Sequence, residues 1–220
     1  MSAIASRFLS NLLGPRVPEA ELVGHVGRYA APNFALLLAR IALLASLFMP
    51  YWRMTLKAPQ YPKGLHVQAY LDRLVGDVAE IDSLNHYIGM RPLGEAAQFE
   101  RTMAVAATVA LILLVEGAML IHNRWAALLA LPAILFPVFF LADLYYWMNR
   151  FGHELNPHAP LSTSIKPFTP PILGTGKVGQ FSTVASAGPG LILAAVAALL
   201  VIVGLYLHRR AYKPLVDARK

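Results

Sequence analysis

Residues 83–92 read SLNHYIGMRP and set His86 and Met90 four positions apart. On a helical turn, positions i and i+4 share a face, so the imidazole and the thioether would point the same way. Both ligand types suit copper in a chain without cysteine. His153 and His158 bracket the turn GHELNPHAP. If the two stretches meet, His86, Met90, His153 and His158 form a candidate copper-ligand set. Asp143, just ahead of YYWMNRFGH, is placed to orient one of these histidines as a hydrogen-bond acceptor or to pair with Arg53 or Arg150. Methionine also fills gaps beside apolar surface, so a packed turn is the competing reading of the same string.

Other chemistries fit less well. The absence of cysteine excludes disulfides, thiolate zinc sites, iron–sulfur ligation and a cysteine nucleophile. Too few carboxylates cluster between the apolar runs for calcium, and the spacing offers no helical pair of histidines facing across a bundle for haem. GTGKVG at 174–179 has the form G-x-G-x-x-G, but it follows a Pro-rich stretch and opens no helix, so it lacks the context a nucleotide site requires. Nothing resembles a nucleophile elbow. A non-enzymatic role is therefore expected.

The elements that must position these residues are set by composition. The 220 residues are 57% hydrophobic and 14% charged, well below the usual charged quarter. Four runs supply the apolar excess at about the 20 residues needed to cross a bilayer: 34–52, 103–121, 126–147 and 190–207. Pro132 and Pro137 predict a kink in the third. The net charge of +7 is gathered beside the apolar runs, which fits membrane topology rather than nucleic acid. Arg7, Arg16 and Arg28 lie before the first span, Arg124 between the second and third, and five Lys or Arg residues within 209–220. The two long intervals, 53–102 and 148–189, are sparser. The basic side is cytoplasmic, so both termini are expected inside and both intervals outside. No small-residue cleavage site follows the first span, which therefore stays as an anchor.

The N-terminal tail, 1–33, carries Ile4, Phe8 and Leu12 on one helical stripe suited to the membrane surface. The 53–102 interval alternates apolar and polar residues in WRMTLKAP and LHVQAYL, predicting a β-hairpin, then a short helix capped near Asp82 or Ser83. The 148–189 interval is rich in Pro, Gly, Ser and Thr and reads as an irregular lid. Residues 208–220 form a basic tail. Arg40 lies six residues into the first span and Glu116 six residues before His122 at the end of the second, both roughly 9 Å deep. Opposite charges at matched depth predict an ion pair that clamps the helices, because an isolated charge there is costly. The expected fold is an all-α membrane protein: four transmembrane helices with a small extracytoplasmic cap of hairpin, short helix and Pro-rich loop.

The strings APQYPKGL, LNHYIGM and ADLYYWMNRFGHELNPHAPL…PFTPPILG resemble a group of small four-span bacterial membrane proteins associated with gene clusters for nitrous oxide reductase, a periplasmic copper enzyme. The resemblance covers about residues 50–190. It implies an inner-membrane accessory protein handling copper for maturation or assembly of such an enzyme, with His86, Met90, His153 and His158 as the positions to examine. The alternative is a non-catalytic structural subunit of a larger respiratory or photosynthetic complex. Either reading expects a lipid bilayer and protein partners, and no nucleic acid.

Overall fold

In the structure, a computed structural model, residues 17–18, 23–122, 125–178 and 180–217 are described. The stripe expected at Ile4, Phe8 and Leu12 lies outside them, as do Arg7, Arg16, Arg124, Arg219 and Lys220. The elements in chain order are α1 (Val26–Ser46), β1 (Trp52–Ala58), β2 (Tyr61–Ala69), β3 (Leu74–Gly76), α2 (Val78–Ile88), a 3₁₀ turn (Leu93–Glu95), α3 (Gln98–Leu120), α4 (Trp125–His153), β4 (Gly174–Val178), β5 (Phe181–Ala187) and α5 (Pro189–Asp217). Among the described residues, α1, α3, α4 and α5 are long and apolar enough to cross a membrane. The 21 residues of α1 reach about 30 Å, the thickness of a hydrocarbon core. Helix α4 runs through Pro132 and Pro137 as one element.

The chain divides into two compact units. The first takes residues 1–44, 107–136 and 193–220, and its described elements are all helices. Its core stripes follow helical spacing: Leu36, Ala39 and Leu43 on α1; Leu111, Val115 and Ala118 on α3; Ala126, Ala130 and Ala133 on α4; Ala197 and Val201 on α5. Alanine alternates with leucine and valine inside, while Ile41, Leu113, Leu128 and Leu199 stand exposed. That mixture is what packing against lipid selects. Tails as apolar as leucine give no drive to hide large side chains, so close backbone approach decides which residues face inward. Gly204 shows the approach directly, since a Cβ there would lie 2.7 Å from the Leu36 side chain.

The second unit takes residues 45–106 and 137–192 and holds the sheet. Five antiparallel strands lie in the order β3-β2-β1-β5-β4. Central β1 pairs with both neighbours, placing Trp52 opposite Ala69 on one side and Ala187 on the other. Trp52, Ala69 and Ala185 are buried together, as are Leu56, Leu65, Val67 and Ile81. The alternation in 52–69 accounts for the hairpin.

Three expectations are corrected here. The protein is mostly helical rather than all-α beyond one hairpin, because the first interval adds β3 and the second adds β4 and β5. FSTVASA, small and β-branched, occupies the second edge of β1, whose N–H and C=O groups would otherwise stand unpaired. The 148–189 interval thus begins as the end of α4, is irregular between His153 and Gly174, and most of GTGKVG is strand β4. Finally, α2 begins at Val78, not near Asp82 or Ser83. Asp77 Oδ2 instead accepts the His66 N–H at 2.7 Å, and Asp82 Oδ1 accepts the Leu93 N–H at 2.7 Å.

Candidate functional site

Helix α2 ends in a Schellman motif. Gly89 adopts the left-handed conformation (φ +83°), its N–H donates to the His86 carbonyl at 3.3 Å, and the Met90 N–H donates to the Asn85 carbonyl at 2.9 Å. Glycine is required twice over, because a Cβ would also lie 2.8 Å from the Asn156 carbonyl oxygen. The turn is strapped by the second interval: Asn156 N–H donates to Gly89 O at 2.8 Å and Leu161 N–H to Tyr87 O at 2.9 Å. Further along, Phe168 N–H donates to Gly152 O at 3.0 Å, Thr169 Oγ1 to Asn149 Oδ1 at 2.8 Å, and the Trp52 indole N–H to Ile172 O at 2.6 Å. Glu154 joins Arg91 at 3.2 Å and Arg150 at 3.0 Å. LNHYIGM and ELNPHAPL are therefore two faces of one interlocked turn.

That turn alters the geometry assumed for the copper ligands. The helix stops at Ile88 and the chain reverses hand at Gly89, so the i, i+4 relation does not carry to Met90. His86 is exposed, whereas Met90 is buried with Ile88 and Phe151. His153 and His158 are exposed. The His153 Nδ1–H donates to the Asn149 carbonyl at 2.8 Å, and the His158 backbone N–H to Asn156 Oδ1 at 2.9 Å. Arg150 is engaged by Glu154 and by the Tyr146 hydroxyl rather than by Asp143. Among the described residues, no three His, Asp or Glu side chains gather as a metal-holding group.

What converges instead is an apolar cleft within the sheet-bearing unit. Its walls come from β1 (Trp52, Met54, Leu56), α2 (Ile81, Leu84, Asn85, Ile88), the turn beyond it (Met90, Leu93), α4 (Met148), the strap (Phe168, Pro170) and β5 (Phe181, Thr183). The cleft is half open to its surroundings, and its lining is almost wholly apolar. Asn85 is 7% exposed, and its Nδ2 meets no acceptor among the described residues. A buried amide without a partner is a costly exception. Three thioethers, Met54, Met90 and Met148, reach the same cleft from three separate elements.

Sequence reasoning missed Asn85, although a signal was present: it falls on the Ile81–Asn85–Ile88 stripe that α2 buries. The convergence of Met54 and Met148 on Met90 depends on strand pairing and carried no local signal.

In the helical unit, Arg40 Nη1 and Glu116 Oε2 form an ion pair. His122, just beyond α3, meets His208 there because α5 brings residue 208 beside the end of α3. Their rings stack with centroids 5.1 Å apart, which leaves no room for a haem between them. Tyr212 packs on both rings, at 3.9 and 4.6 Å.

No protein-family model matches the chain, and no curated protein is significantly similar to it.

Proposed function

We propose that the protein is a non-catalytic accessory protein of the bacterial inner membrane, that its sheet-bearing unit faces outward, and that it serves the assembly of a larger membrane complex by holding an apolar group in its cleft. The observation that carries this reading is the lining of the cleft. It offers C–H surface, thioethers, one indole, one hydroxyl and one unpartnered amide, but no titratable side chain. Such a wall suits binding; general acid–base or nucleophilic chemistry needs groups that exchange protons or attack. The Lys and Arg residues at the two ends of the chain support the orientation.

The cysteine-free chain makes the test direct. Thr183→Cys puts a thiol on the cleft wall, and Ser83→Cys puts one on the exposed side of α2. The reading predicts that the first thiol labels slowly in native membranes and quickly once detergent extraction strips the cleft, with no change for the second. Equal rates for Thr183→Cys in both states contradict it.

A second reading, copper handling for a periplasmic copper enzyme, is favoured by one observation: Met54, Met90 and Met148 share the cleft, and thioethers select Cu(I). In that reading the methionines replace the exposed histidines as the primary ligands.

A further inference from the structure

We propose that the occupant of the cleft is the acyl ester region of a membrane phospholipid, one acyl chain against the apolar walls and its ester carbonyl on Asn85 Nδ2. This rests on the reading of the cleft as the working site and names its ligand.

Three observations select this class. The walls are almost wholly C–H and thioether surface, which a hydrocarbon chain satisfies and a charged or sugar-like group does not. Among the described lining residues, Asn85 Nδ2 is the buried donor that lacks an acceptor, since the Trp52 indole is bonded to Ile172 O, so the ligand brings an acceptor. A carbonyl meets that requirement; an alkane leaves the amide unpaired at a cost. The position supplies the source. Met148 follows directly on Tyr145, Tyr146 and Trp147, of which Tyr145 and Tyr146 are half exposed. Such aromatic side chains settle at the membrane–water boundary, in the interfacial region where the ester groups of phospholipids lie. Met148 carries one wall of the cleft next to that cluster, so on this proposal the surrounding bilayer itself supplies the occupant.

The full chain is placed in nanodiscs of phosphatidylethanolamine and phosphatidylglycerol, doped with a diazirine-bearing ester phospholipid or with its ether-linked analogue. Adducts are mapped by peptide mass spectrometry after illumination. The ester lipid is expected to label cleft-lining peptides, and roughly 3- to 10-fold more strongly than the ether lipid, the range set by one hydrogen bond. Asn85→Leu should bring that ratio to about 1 while keeping the ether adducts at the wild-type level, which also reports that the variant folds. Cleft adducts with no ester preference in the wild type overturn the lipid-ester assignment but leave the cleft a binding site. So does displacement of the cleft adducts by an N-acylated peptide at concentrations where added ester lipid has no effect, which moves the source from the bilayer to a lipidated partner. Adducts confined to the exposed faces of α3 and α5 overturn both the assignment and the cleft reading.

Discussion

The Met90 N–H donates to the Asn85 carbonyl at 2.9 Å, and this bond holds both residues in the wall of one cleft. It exists because Gly89 turns the chain left-handed immediately after α2. Replacing Gly89 by alanine forces a Cβ into an unfavourable φ and against the Asn156 backbone. Gly89→Ala is expected to cost at least about 1–3 kcal/mol, read as a lowered thermal midpoint in detergent. Gly94→Ala, where a Cβ meets nothing within 4 Å, serves as the control and should leave the midpoint unchanged or slightly raised.

Sequence pattern carried the helices and the first hairpin because each has its own periodicity: long apolar runs for α1, α3, α4 and α5, and alternation for β1 and β2. Strands β4 and β5 were hidden because FSTVASA is short and its partner, β1, lies about 130 residues earlier. Their pairing is a property of the fold, not of local sequence. Spacing likewise suggested that His86 and Met90 share a face, an argument that fails where Gly89 ends the helix. The cleft could not be read at all, since its walls are drawn from positions 52 to 183.

The Arg40–Glu116 pair tests the helical unit. Glu116→Gln or Arg40→Met alone strands one charge among apolar helices, at a cost below the roughly 2.5–3.5 kcal/mol of a charge at the bilayer centre. The double variant Arg40→Met with Glu116→Met removes both charges and should recover most of that loss. Unfolding of all three variants in mixed micelles measures it; a double variant as unstable as the sum of the singles would show that the pair does not act as a unit.

The two metal readings separate cleanly by mutagenesis. If copper is handled at the thioethers, combining Met54→Leu, Met90→Leu and Met148→Leu abolishes Cu(I) uptake by the purified protein, at a modest stability cost because the swaps conserve volume. The pair His86→Ala and His153→Ala should leave uptake within about two-fold of wild type, since neither side chain lines the cleft that holds the thioethers. Competition against a chromogenic Cu(I) chelator reads both.

Orientation is checked with single thiols in spheroplasts. Ser83→Cys, exposed on α2, should react with a membrane-impermeant maleimide, whereas Lys213→Cys, exposed near the end of α5, should react only after permeabilisation. The opposite pattern would place the sheet-bearing unit in the cytoplasm and contradict the charge argument.

The central claim is that the cleft is an occupied binding site. An experimental structure of the full chain in nanodiscs of its native lipid tests it most directly. The account predicts elongated density along Met54, Met90 and Met148, with an acceptor within about 3.2 Å of Asn85 Nδ2. A cleft closed by its own side chains, with the Asn85 amide bonded inside the protein, would contradict it.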